Sequence, residues 1–333
     1  MSLVESGDGM LGAYASMLTR DSSGKLYVSD MTSKRVVAFG PDGRVLKTFG
    51  RSGEGPGEFR LPGALHVFGD TLLMVHDPVR ERFLQFDLRS GDLISERHAT
   101  TDLIAPGWAI VGDSIFAGVV GSEGIVSSWS ADEADLRPVV PLPAELRGQQ
   151  GIMMRYGVPR IAVVDSNVLV LIPGRAGLHF YSTAGEARGR LLIPASRRRG
   201  EPLDLVARQI ARSRESPGEI VASLPAGVHK LTSGLVLVAM QDMELIAGVG
   251  RNAKYGDFAT YVSLIDLSRM VACVDGKLPI SSDVPLIPIF RGDTMFLLGR
   301  VATPDLAVRS QLYSFTIDDA GCTWLPIGWA SSP

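Results

Sequence analysis

The chain reads as an all-β protein: one six-bladed β-propeller of four-stranded antiparallel blades, with a short helical insertion between blades four and five. Three observations predict this. A tight turn followed by a short apolar strand occurs six times along the chain. Each occurrence is followed by a second alternating strand, a polar turn and a third short strand. Glycine and proline, 37 and 20 of 333 residues, punctuate the whole sequence and favour many short elements over long helices. Four strands per unit, repeated six times, is a propeller pattern.

The turn-and-strand units are 21–28 (DSSGKLYV), 69–74 (GDTLLM), 112–116 (GDSIF), 165–170 (DSNVLV), 233–237 (SGLVL) and 292–297 (GDTMFL). Their partner strands are 35–39, 82–86, 125–129, 178–181, 261–265 and 311–315. A further strand precedes each unit, often opened by proline, as at Pro62, Pro106, Pro159, Pro225 and Pro285. Unit starts at Leu26, Leu72, Ile115, Val168, Leu235 and Met295 are 46, 43, 53, 67 and 60 residues apart, so a bare blade comes first and insertions come later. The blades expected are 13–50, 61–98, 105–140, 158–193, 226–275 and 284–326, within one domain over 10–327. Residues 13–20 serve as the inner strand of blade one and 322–327 as the outer strand of blade six; whether 2–8 add an outer strand there stays open.

Between blades one and two lies GRSGEGPGEF, residues 50–59. A phosphate-binding loop follows a strand and opens a helix; this one has a strand on either side. It is read as the crossing from the rim of blade one to the channel wall of blade two, with Phe59 wedged between the blades.

With strands A to D counted outward from the channel, the long connections are 141–157, 194–226, 241–258 and 300–310, all on the D–A and B–C face. Rigid scaffolds carry function in such loops, so a ligand is expected on that face. The insertion 195–225 holds a helix over 201–212, with Pro202 in its first turn and Leu203, Val206 and Ile210 on one side. Arg197, Arg198, Arg199, Arg208, Arg212 and Arg214 sit around it, most simply as a solvated basic surface, with a surface for an anionic ligand or acidic partner as the alternative. Met154, Arg155, Tyr156 and Arg160, with Arg251, Lys254 and Tyr255, put cationic, aromatic and soft side chains at this face and are the candidate ligand-binding residues.

The net charge of −3 argues against a nucleic-acid partner. No run of about 18 apolar residues is present to span a membrane. The opening MSLVESGDGML lacks the basic and apolar regions of a signal peptide. The expected compartment is therefore periplasmic or secreted if an upstream segment has been removed, and cytoplasmic otherwise. Cys273 and Cys322 fall on the expected outer strands of blades five and six, too far apart for a disulfide, and are read as two buried free thiols.

His66 and His229 occupy matching positions, six residues before their unit starts, in blades that face each other across the ring. The same position elsewhere holds Arg20, Ala109, Ala162 and Ile289. Two histidines fall short of the three or four protein ligands of a zinc site, so packing is the favoured role and a channel divalent metal the rival. Asp30 and Asp77, each five residues before an arginine (Arg35, Arg82), are read as ion pairs. No nucleophile elbow, HExxH or Walker motif occurs.

Residues 26–30 (LYVSD), 35–39 (RVVAF), 41–43 (PDG), 49–50 and GEGPGEFRLPG resemble the NHL repeat of six-bladed propellers, strongly over 21–69 and recognisably in blade two. The resemblance implies the fold. It also implies two known uses: lyase chemistry with histidines around a channel metal, and RNA binding, which the acidic net charge opposes. Calcium-dependent lactonases share the shape, but strand A here lacks their dense acidic set. The expectation is a monomeric propeller binding a protein, peptide or small molecule, with no cofactor; the alternative is a metal-dependent lyase or hydrolase.

Overall fold

In the computed structural model, which describes residues 3, 10–12, 15–99, 103–104, 107–121, 123–130, 136–148, 157–200, 222–247, 254–282, 285–302 and 308–330, the six repeats form six antiparallel sheets. Blade one is β1 (Ala15–Arg20), β2 (Leu26–Asp30), β3 (Arg35–Phe39) and β4 (Val45–Phe49). The crossing carries a two-residue parallel ribbon, β5 (Arg51–Ser52) with β6 (Glu58–Phe59). Blade two is β7 (Leu65–Phe68), β8 (Leu72–Asp77), β9 (Arg82–Asp87) and β10 (Leu93–His98). In blade three, β11 (Leu103–Ile104) and β12 (Ala109–Val111) both pair with β13 (Ser114–Val120), followed by β14 (Gly124–Ser130) and β15 (Arg137–Pro141). Blade four is β16 (Arg160–Val164), β17 (Asn167–Leu171), β18 (Leu178–Ser182) and β19 (Ala187–Leu192). Blade five is β20 (Leu224–Lys230), β21 (Val236–Ala247), β22 (Lys254–Asp266) and β23 (Val271–Ser282). Blade six is β24 (Ile289–Arg291), β25 (Thr294–Ala302) and β26 (Val308–Thr316).

Each blade is sandwiched between two others, so its middle strands are buried on both faces. All five residues of β2 are buried, as are four of five in β3. That is why these segments read as near-continuous apolar runs. Six apolar clusters result, one at each blade-to-blade interface. Leu26, Val28 and Phe39 meet Phe296 and Leu298 of blade six, whereas Tyr27, Val36 and Phe49 on the opposite face meet Leu73 and Phe86 of blade two. The ring is thus closed by side chains through every interface.

Phe59 is fully buried in the cluster between blades one and two, its ring 5.9 Å from that of Phe86. Gly50 adopts φ +64°, and a Cβ there would collide with the Phe59 ring. Glycine is required at this point by both the backbone and the space.

Five expectations need correction. The long B–C connections are largely hairpins: β21 and β22 stay paired from Val236↔Ile265 out to Ala247↔Lys254, and β25 with β26 out to Ala302↔Val308. The alternation in 241–247 and 254–260 continues the blade rather than ending it.

Second, the tail does not form the outer strand of blade six. Leu3 N–H donates to the Ser310 carbonyl at 3.0 Å, and Leu3 is buried against blade six, so Leu3 sits on the outer edge of β26. The chain after β26 returns instead along the rim. β27 (Leu325–Pro326) adds a fifth strand to blade five through β23, and β28 (Gly328–Trp329) adds one to blade four through β19.

Third, this course brings Cys322 beside Cys273, with Cα atoms 5.5 Å apart, and the two form a disulfide. Outer strands of separate blades are too distant, but a tail laid on blade five is not. Fourth, Asp77 does not pair with Arg82. It accepts N–H bonds from Arg60 and Leu61 of the incoming crossing, while Arg82 pairs with Glu96 and reaches the Gly55 and Glu58 carbonyls. Asp30 does pair with Arg35, at 3.9 Å, and also holds the Gly12 N–H.

The helix expected over 201–212 lies outside the described residues; among these, the one helical turn is a 3₁₀ turn at Ala144–Leu146. The base of the insertion is anchored by a buried ion pair. Asp275 takes the N–H groups of Ser196 and Arg197 and the Nε–H of Arg198, the last at 2.9 Å with both side chains sealed from solvent. Fifth, then, Arg198 is structural and not part of a solvated basic surface.

Candidate functional site: the central cavity

Inner strands from all six blades surround a cavity of about 560 Å3 on the ring axis. The six positions aligned from sequence, Arg20, His66, Ala109, Ala162, His229 and Ile289, all line it. Their common register follows from the shared A–B turn, which sets the distance from each inner strand to its partner.

His66 and His229 each stack on an aromatic ring from the following blade. The His66 ring lies 5.7 Å from Trp108 at 21°, with Phe68 edge-on at 4.7 Å. The His229 ring lies 4.8 Å from Phe290 at 6°. Burial pushes His66 down to about 4, so it is neutral at physiological pH. His229 is also lowered by burial, offset in part by the Gly292 carbonyl and Asp293. Its Nε2 lies 2.9 Å from the Gly292 carbonyl, which assigns the proton to that nitrogen. Both imidazoles thus have partners in blade-to-blade packing. Among the described residues, no three His, Cys, Asp or Glu side chains cluster as metal ligands do.

Cations dominate the polar part of the wall. Arg20 donates to the Gly24 carbonyl at 3.0 Å and its guanidinium sits 4.4 Å from the Phe296 ring centroid. Arg291 donates to the Asp21 carbonyl at 2.8 Å, and Lys230 pairs with Asp165 at 2.9 Å. These three end their strands at the A–B rim.

Arg160 differs. It begins β16, at the end of the channel that the long D–A connection enters, and is 7% exposed. Its Nε and Nη1 are sealed and have no acceptor among the described residues. Burial pushes it down to about 10, which leaves it charged at neutral pH. Arg160 is thus a buried cation of the cavity wall without a counter-charge there.

Of the other candidates, Met154, Arg155, Tyr156 and Arg251 lie outside the described residues. Lys254 and Tyr255 begin β22, their backbones paired with Ala247 and Leu245 in the projecting hairpin. Trp108 and Phe290, which furnish the aromatic wall, were not among the candidates. Each lies two residues after a proline, Trp108 after Pro106 and Phe290 after Pro288, a signal visible only once the inner strands are aligned.

Fold and cavity together define a six-bladed β-propeller with a ligand-sized axial chamber. The profile of the DUF5128 family, described as a 6-bladed beta-propeller, matches residues 15–105. A protein of Bacteroides fragilis described as exported is similar in structure, with a TM-score of 0.58 at 11% identity over 96% of this chain and 94% of that one. A member of the DUF4221 family from Bacteroides vulgatus gives 0.56 at 9% identity, over 95% and 97%. Virginiamycin B lyase from Staphylococcus aureus, crystallised with quinupristin, gives 0.51 at 11% identity, over 90% and 80%. At these identities the likeness is one of fold. No functionally curated protein matches the chain.

Proposed function

We propose that this chain is a binding propeller of the NHL type that takes a small-molecule ligand into its axial cavity from the face bearing the long D–A and B–C connections. The cavity carries the reading: at about 560 Å3 it falls within the range of ligand pockets, roughly 300–1,000 Å3, and joins an aromatic wall to a few placed polar groups. The β21–β22 hairpin extends blade five on that face, and Arg251, Lys254 and Tyr255 are assigned to contact what enters. The disulfide favours an oxidising compartment, periplasmic or secreted.

Native mass spectrometry of protein purified without chelators tests this. A stoichiometric organic ligand, displaced by heating, supports the binding reading. A stoichiometric divalent metal lost on His66→Ala or His229→Ala would replace it with the metal-dependent lyase or hydrolase. Binding of every captured ligand unchanged in an Arg251→Ala/Lys254→Ala/Tyr255→Ala variant would remove the loop face from the site.

A further inference from the structure

We propose that the ligand is an organic acid: one carboxylate held by Arg160, and an apolar body against the aromatic wall that includes Trp108 and Phe290. This rests on the cavity reading above and adds the chemistry of what fills it. Arg160 carries the inference. A guanidinium has five donors and no acceptor, keeps its charge at neutral pH, and is costly to bury without a counter-charge. The other cations of the wall are answered from within the fold, by the Gly24 carbonyl and the Phe296 ring, by the Asp21 carbonyl and by Asp165. Arg160 faces no acceptor among the described residues, although 93% of its surface is covered.

The charge count narrows the class. One unanswered cation suits one negative charge, and so a carboxylate rather than a phosphate dianion, which would call on several free donors. The rest of the cavity asks for apolar surface. Leu18, Leu65, Ile161, Val163 and Val228 line it with the two aromatics, and both histidines are neutral. Trp108 directly precedes β12, which packs beside β16, so the aromatic wall adjoins the blade that carries Arg160.

The test uses the full chain and a panel of aryl and alkyl carboxylates of graded size, each beside its neutral amide, with inorganic phosphate as a further probe. Binding is followed by calorimetry and by the thermal midpoint. The proposal expects at least one acid to bind tenfold or more tightly than its amide. It expects that preference to vanish in Arg160→Met and to survive in part in Arg160→Lys. It also expects the ligand-free Arg160→Met protein to melt at the same temperature as the parent or above it, because an unanswered buried charge has been removed.

Three results overturn it. If acids and amides bind alike in both proteins, the cavity is a ligand site but the carboxylate assignment is wrong. If inorganic phosphate binds as well as any organic acid, the apolar body is wrong. If nothing on the panel binds and Arg160→Met lowers the thermal midpoint, Arg160 serves an internal partner, and the cavity reading falls with the proposal.

Discussion

Reducing the Cys273–Cys322 disulfide should cost the protein a large part of its stability. The two cysteines are 49 residues apart, and their bond ties the returning tail to blade five. In the chain-entropy account, closing a loop of that length in the unfolded chain is worth about 4 kcal/mol. The native side adds to this. The tail covers the outer edges of β23 and β19 with β27 and β28, and Trp329 packs edge-on against Phe180 at 5.0 Å. Freed, it would leave two strand edges open to pairing with other chains. The assay is urea denaturation of Cys322→Ser, of the Cys273→Ser/Cys322→Ser double variant and of reduced parent protein against the oxidised parent. All three should share a lower midpoint and a stability lower by about 4 kcal/mol, with a steeper slope because the unfolded chain is no longer held compact, and a greater tendency to associate. Two titratable thiols in the unreduced, denatured parent would refute the reasoning, as would identical midpoints with and without reductant.

Asp275→Asn should destabilise by roughly 3–5 kcal/mol, because it leaves Arg198 buried beside a neutral amide. Asp275 sits at φ +56°, which asparagine tolerates, so the loss reports charge and not backbone. Burial pushes the Asp275 carboxylate up, but the Arg197 and Ser196 N–H groups and the Arg198 charge outweigh it and hold it below its usual range. Its contribution is therefore complete above the unfolded value near 3.9 and lost as pH falls through the folded value; chemical denaturation at pH 3 and pH 6 should show the asparagine variant closing on the parent at the lower pH. His66 has the matching sign. With its folded value at about 4 and its unfolded value near 6.5, the unfolded chain binds more protons between them, so stability rises with pH across that window. His66→Gln should flatten part of this rise in urea midpoints taken at pH 4.5 and 7. Phe59→Ala should cost roughly 3–5 kcal/mol in the same assay, since it empties a sealed position between two blades.

Much of this molecule was legible in its sequence because a blade is written locally. The six A–B turns and the strands that flank them lie within a few residues of one another, so the alignment placing His66 and His229 in register also placed Arg20, Ala109, Ala162 and Ile289 in the cavity wall. The 50–59 crossing was legible for the same reason, through its glycines and one apolar residue. Asp77 was half read: its place at the strand end was visible, but its partners proved to be backbone N–H groups of the crossing, and Arg82 belonged to Glu96.

What the sequence by itself determined is therefore the blade, its count and the residues of each inner strand, because strand period and turn chemistry act over short range. Which edges pair at the close of the ring was decided by the tertiary structure alone. Leu3 on β26, and Leu325 and Trp329 on blades five and four, choose among strand edges that present the same backbone groups, and only packing across the whole ring separates them. The disulfide follows from that choice. Arg160 follows the same logic in reverse: its identity and position were plain from the chain, but its lack of a counter-charge depends on which acceptors the neighbouring blades bring to the axis.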